Sequence, residues 1–229
     1  MTIPLDRALP NRRRGALACA AALVLTAGCA TGAAGTNETT EPRPDAGVGA
    51  GADTAALVPP GFGTLRQDDL AIRVQLRGMQ VRAIPLDESI IRVLSPDSYR
   101  ALRDLLESRR ADIATIASRY GLRRPAVWYV SYFGIEPEAR FSPMDFIVTS
   151  AGRDHRPLEV LPLSPGFGEH RLRQRETQTA LYVFEDGVDP GQPLVVSVEG
   201  ERNRQWEETL RRIEREWASI RSRAAARHP

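Results

Sequence analysis

Short hydrophobic segments with a two-residue period constrain the fold of this chain most strongly. Residues 70–76 alternate apolar and polar side chains, as a strand with one buried face does. After a turn at Arg77-Gly78, residues 79–84 continue as a partner strand. Further segments of this kind follow at 127–133, 144–149, 158–161, 177–184 and 194–198. Short strands at such spacing, separated by Gly, Pro and Asp, predict a mainly antiparallel β-sandwich.

Helical patterns accompany the strands, so the expected class is α+β. Ser95-Pro96-Asp97 is typical of a helix start and Gly121 of a helix end, which predicts one long inserted helix over about 96–120. Its apolar stripe consists of Tyr99, Leu102, Leu106, Ile113, Ile116 and Tyr120. Residues 87–94 fit either a short helix capped by Asp87 or a β-branched strand.

A second amphipathic helix is predicted at the C-terminal end. Its apolar residues follow a heptad spacing and form a seam, Trp206, Leu210, Ile213, Trp217 and Ile220. This seam either packs on its own domain, which we favour, or binds a partner or a second copy.

The beginning of the chain predicts an export signal. Residues 1–14 carry four arginines against one aspartate, and residues 15–28 are apolar or small. A basic region before a short apolar run is typical of a secretory signal peptide, and this run is shorter than the ~20 residues of a membrane span.

The residues Leu25-Thr26-Ala27-Gly28-Cys29 resemble the lipobox of bacterial lipoproteins. The resemblance implies cleavage before Cys29 and lipidation of its thiol, whereas Cys19 lies too close to the arginines to serve. Ala30 in place of Asp implies sorting to the outer membrane, facing the periplasm. The run Arg12-Arg13-Arg14 also resembles a twin-arginine signal, which is an alternative export route.

The later strands are similar in pattern to immunoglobulin-like domains of bacterial lipoproteins. The similarity lies in Phe146/Val148, Leu181/Val183 and Leu194/Val196, and the chain has no Cys–Trp–Cys set. The expected organisation is a signal peptide at 1–28, a lipidated cysteine with a flexible tether at 29–58, and a single globular envelope domain at 59–229. The tether has no aromatic residue, so it cannot bury enough surface to offset its ordering entropy.

Composition excludes several functions. Removal of residues 1–28 leaves 27 basic and 28 acidic residues, a net charge of −1, which does not predict a nucleic-acid partner. Cys29 is then the single cysteine, so neither a disulfide nor a thiolate zinc site is expected. The chain has no lysine and hence no lysine nucleophile. We predict no metal and no cofactor.

An anion-binding site is one prediction from the loops. Arg171, Arg173 and Arg175 alternate along a segment read as extended, and Arg153 and Arg156 lie in an earlier loop. If they converge, they form a site for an anionic ligand, either a phosphate-bearing envelope polymer or an acidic lipid. The alternative is an edge strand protected by charge against aggregation, which we favour.

Catalysis is the weaker expectation. A hydrolase would need His155 or His170 near a serine (Ser142, Ser150 or Ser164), or a pair of loop carboxylates such as Glu136/Glu138 or Asp186/Asp189. No serine lies in a G-x-S-x-G motif. The sequence therefore favours a membrane-anchored lipoprotein with a binding, assembly or scaffold role, whose partner is an envelope protein or polymer, with an envelope hydrolase as the alternative.

Overall fold

The alternating segments form strands in the computed structural model, which describes residues 57–227. The strands in that part are β1 Ile72–Leu76, β2 Met79–Pro85, β3 Ala126–Gly134, β4 Ala139–Arg140, β5 Phe146–Ser150, β6 Arg153–His155, β7 Glu159–Pro162, β8 Arg171–Leu172, β9 Thr177–Phe184, β10 Leu194–Val198 and β11 Glu201–Asn203. The α-helices are α1 Gln67–Leu70, α2 Glu88–Ile91, α3 Pro96–Ser108, α4 Arg110–Tyr120 and α5 Trp206–Arg227. The predicted α+β class with a mainly antiparallel, sandwich-like arrangement is confirmed.

Two main sheets carry the fold, and their strand ladders are antiparallel. The larger sheet has the order β1-β2-β3-β9-β7, and the smaller has the order β11-β10-β5-β6. Strands β4 and β8 form a separate two-stranded ribbon. The edge strands β1 and β11 of the two sheets are in contact. The Asn203 side-chain amide of β11 donates to the Arg73 carbonyl of β1 over 2.7 Å.

Aromatic side chains fill the core between the sheets. Trp128 of the larger sheet makes edge-to-face contacts with Phe146 of the smaller sheet and with Phe184, at ring-centroid distances of 6.3 and 6.1 Å. Farther along the core, the hydroxyls of Tyr132 and Tyr182 lie 2.8 Å apart and satisfy each other. Burial raises the pKa of both phenols above the ordinary tyrosine range, since desolvation disfavours the phenolate.

The long inserted helix is interrupted at one residue. Arg109 has φ −112° and ψ 9° and separates α3 from α4. The Ser108 hydroxyl bonds the Leu105 carbonyl over 2.7 Å, and the Arg109 N–H turns to the Leu106 carbonyl at 3.2 Å. This local hydroxyl bond competes with the helical ladder. A continuous helix over 96–120 is therefore wrong in this detail.

The ends of this helical region follow the sequence signals in part. Gly121 ends α4 with φ 66°, as predicted, whereas the Ser95 side chain makes no capping hydrogen bond. The segment 87–94 contains the short helix α2, and Asp87 accepts a capping bond from the Ser89 N–H at 2.8 Å. Tyr120, predicted in the apolar stripe, is 43% exposed.

The C-terminal helix packs on its own domain and holds the start of the described chain, residues 57–66, which we call the N-terminal strap. One Glu216 carboxylate oxygen accepts from both the N–H and the hydroxyl of Thr64, each at 2.9 Å. Arg223 pairs with Glu216 at 2.6 Å and also donates to the Phe62 carbonyl at 2.7 Å. Val58 is already buried, and its carbonyl accepts from Arg92 over 3.2 Å.

Candidate ligand-binding cavity

A cavity of about 360 Å³ lies where β2 ends, β3 begins and the loop between β9 and β10 passes. Its lining comes from Pro85, Leu86, Asp87, Leu106, Arg123, Arg124, Pro125, Ala126, Val127, Trp128, Asp186, Gly187, Val188, Asp189 and Pro190. Sites for small molecules typically enclose about 300–1,000 Å³ behind mainly apolar walls. The cavity therefore has the size of a small-ligand site, with walls that are polar and apolar in about equal parts.

Antiparallel pairing brings the cavity walls together. The last residue of β2, Pro85, lies opposite Trp128, and the Leu86 N–H donates to the Val127 carbonyl over 2.8 Å. On its other side, Trp128 lies opposite Tyr182 of β9. The lining residues 186–190 follow shortly after the end of β9. Leu106, predicted in the apolar stripe, is partly buried and lines the cavity from α3.

The carboxylates around the cavity are held by donors of their own chain. Asp87 pairs with the Arg124 guanidinium at 3.1 Å. The two oxygens of Asp186 accept from the backbone N–H groups of Arg123 and Arg124 at 3.0 and 2.9 Å. One oxygen of Asp189 accepts from the Gly191 N–H at 2.8 Å. These bonds fix the rim of the cavity and leave it few free acceptors.

Two hydrogen-bond donors at the cavity, unlike the carboxylates, have no partner among residues 57–227. Within residues 57–227, the Arg123 guanidinium has neither a hydrogen bond nor an ion pair to another side chain. The indole nitrogen of Trp128 is buried and has no acceptor in the same part of the chain. Unpartnered buried donors of this kind are uncommon in proteins, and Trp128 is part of the cavity wall.

The C-terminal helix also supports the cavity. The Trp206 indole N–H donates to the Pro190 carbonyl over 2.9 Å, and both residues are buried. Pro190 belongs to the lining loop, so α5 fixes one wall through this bond.

The arginines predicted to bind anions lie on different parts of the structure. Arg153 lies on β6, the edge of the smaller sheet, and pairs with Glu185 at 3.1 Å. Arg156 donates to the Met144 carbonyl at 3.0 Å, and Arg171 of the β4–β8 ribbon pairs with Glu138. Three of the five are therefore bound to groups of their own chain. The edge-strand alternative fits Arg153.

The extended segment over residues 171–175 is wrong beyond Leu172. A turn follows β8, in which the Arg173 N–H donates to Glu176 at 2.7 Å. Arg175 takes a left-handed conformation with φ 63°. A single face with Arg171, Arg173 and Arg175 at alternate positions does not form, because a strand must stay extended to present one.

The histidines considered for catalysis have other neighbours. His155 is 3% exposed, and its Nδ1 lies 3.0 Å from a Glu185 carboxylate oxygen. His170 lies against Phe141, with ring centroids 5.6 Å apart. Over the described residues, neither histidine hydrogen-bonds a serine; Ser164 bonds Thr179 instead, at 3.1 Å. Of the loop carboxylates considered, Asp186 and Asp189 line the cavity, whereas Glu138 pairs with Arg171.

The seam of α5 faces the domain. Trp206 and Ile213 are 1% and 0% exposed, Leu210 and Ile220 are buried, and Trp217 is partly buried with its N–H 3.2 Å from the Ser89 carbonyl. The packing alternative describes this arrangement, and the seam offers no free surface to a partner. A truncation that removed α5 would therefore expose the core residues that this helix covers.

The described helices include none that is long and apolar enough to cross a bilayer. The same residues contain no cluster of three or more His, Cys, Asp or Glu side chains placed to hold a metal ion. Comparison with protein-family models, curated proteins and solved structures found no significant match to this chain. The likeness to immunoglobulin-like domains stays a prediction.

Proposed function

We propose that the protein is an exported, lipid-anchored protein of the cell envelope whose globular part binds a small ligand. The cavity at the end of the larger sheet carries this proposal. Its walls combine apolar and polar surface in about equal parts, and its carboxylates accept hydrogen bonds from their own chain. A general acid or base must exchange a proton with its substrate, so carboxylates held in this way suit binding better than catalysis.

Anchoring is supported by the residues that end in Cys29. We expect metabolic labelling with a radioactive or clickable fatty acid to mark the chain, and Cys29→Ala to abolish both the label and the processing. The chain offers a matched control in Cys19→Ala, which should keep both. One acyl chain binds membranes only marginally while several anchor stably, so Cys29→Ala should leave either the unprocessed chain or a soluble product without lipid. Retained lipid label in Cys29→Ala would refute the anchor.

Ligand binding is tested by filling the cavity. Ala126→Phe adds a ring to the cavity lining, whereas Ala111→Phe adds the same ring to the exposed surface of α4. The unaltered chain and both variants would be purified from the native envelope, and the small molecules that accompany each would be identified by mass spectrometry. We expect a species with the unaltered chain and Ala111→Phe that is depleted from Ala126→Phe. Equal amounts in all three would contradict the binding role of this cavity.

A further inference from the structure

We infer that the cavity binds a small molecule with an apolar body and one carboxylate group. The inference names the ligand class for the proposed binding role and rests on that role, but it does not depend on the lipid anchor.

The apolar body follows from the walls. Proline, leucine, valine and alanine side chains make up most of the lining. Apolar surface moved from water to such a wall is stabilised, and a volume of about 360 Å³ admits a medium-length aliphatic chain or two small hydrophobic side chains.

The carboxylate follows from the charges that remain available. Arg124 is paired with Asp87 at 3.1 Å, and Asp186 accepts hydrogen bonds from two backbone N–H groups. Arg123 is the lining cation that has no such partner among residues 57–227. A guanidinium binds a carboxylate through two parallel hydrogen bonds, which is among the strongest polar pairings in proteins.

Asp189 offers a second way to find whether the ligand is an anion or a cation. Only one of its oxygens has a donor, the Gly191 N–H at 2.8 Å, and the residue is exposed on the rim. An anionic ligand would be repelled by Asp189, whereas a cationic ligand would be attracted.

Titration calorimetry tests the inference on the full chain carrying Cys29→Ala, in buffer without detergent. The probes are octanoate, octylamine with the same chain and the opposite charge, and acetyl-leucyl-leucine as the free acid and as the amide. We expect octanoate or the peptide acid to bind, and octylamine and the peptide amide to bind at least tenfold more weakly. The tighter of the two acids distinguishes a fatty acid from a peptide carboxyl terminus as the source.

Substitutions then place the acid in the cavity. Arg123→Gln should weaken binding of the acid about tenfold or more, since a hydrogen bond to a charged group is lost. Arg77→Gln is the matched control, because Arg77 is an exposed arginine in the turn at the other end of β2, and it should leave the affinity unchanged. Asp189→Asn should leave the affinity for the acid equal or higher. All three residues are exposed, so these variants should fold as the parent does.

Three outcomes would overturn the inference. Tighter binding of octylamine than of octanoate, with weakening by Asp189→Asn, would make the ligand a cation. Equal weakening by Arg123→Gln and Arg77→Gln would show nonspecific charge attraction. Failure of all four probes would reject this ligand class. The binding role would still stand if a small molecule accompanied the unaltered chain and Ala111→Phe but was depleted from Ala126→Phe.

Discussion

Trp206 links the C-terminal helix to the core and to the cavity wall, and two substitutions separate these contributions. The side chain is 1% exposed, and its indole N–H donates to the buried Pro190 over 2.9 Å. Trp206→Ala removes the whole ring, and truncation of a buried tryptophan lowers the free energy of unfolding by about 3–5 kcal/mol. Trp206→Phe keeps most of the apolar ring but leaves the Pro190 carbonyl without its donor, which costs about 1–3 kcal/mol.

Urea titration followed by far-ultraviolet circular dichroism gives these free energies. Trp217→Ala is the matched control, because Trp217 lies on the same seam but is only partly buried. Its loss should be clearly smaller than that of Trp206→Ala. A loss below about 1 kcal/mol for Trp206→Ala would refute the packing of α5 on its own domain.

Three further predictions concern the core and the strap. Ile113→Asp should unfold the domain at neutral pH, as an unpaired buried carboxylate costs several kcal/mol; a thermal scan with an unchanged midpoint would contradict this. Tyr132 and Tyr182 have a higher pKa in the folded state than in the unfolded chain, so folding favours the neutral phenols. Their contribution to the free energy of unfolding is complete below about pH 10 and is lost as the pH rises further. Absorbance at 295 nm should show these two tyrosines ionising only with unfolding, and early ionisation of all five would refute it. Gly63→Ala should cost about 1–3 kcal/mol in chemical unfolding, because a Cβ there would lie 2.2 Å from the Val93 carbonyl oxygen, whereas Gly168→Ala meets nothing within 4 Å; equal stability of the two variants would be inconsistent with this contact.

Local signals predicted much of the fold. The alternation over residues 70–76 follows from the chemistry of a strand with one buried face, and this segment contains β1. The apolar run that ends at Phe184 is β9, which is buried on both faces from Ala180 onward. Gly121 ends a helix because its φ of 66° costs little without a Cβ. The seam of α5 is likewise visible in its spacing.

Features that depend on side-chain competition or on distant segments were not visible in the pattern. The interruption at Arg109 accompanies a hydroxyl bond from Ser108, and the apolar stripe on either side gives no sign of it. The arginines at 171, 173 and 175 alternate in the sequence, but the backbone turns after Leu172, where the Arg173 N–H bonds Glu176.

The cavity combines four parts of the chain that are far apart in the sequence: 85–87, Leu106, 123–128 and 186–190. Asp186 and Asp189 alone read as ordinary turn residues. Their proximity to Arg123 follows only from the pairing of β3 with β9, so no local motif could have disclosed the site.

The N-terminal strap has a mechanical consequence. Any pull transmitted along the chain from before residue 57 enters the domain through the strap, whose bonds run to Arg92, Glu216 and Arg223. The load is thus divided between the segment that follows α2 and the last helix of the chain. The Glu216 and Arg223 side chains are themselves paired at 2.6 Å, so tension on Phe62 or Thr64 reaches the same ion pair on α5. Beyond them, the backbone of Leu65 bonds Val93 and Ser95, so the domain takes up tension at two joints that lie far apart in the sequence.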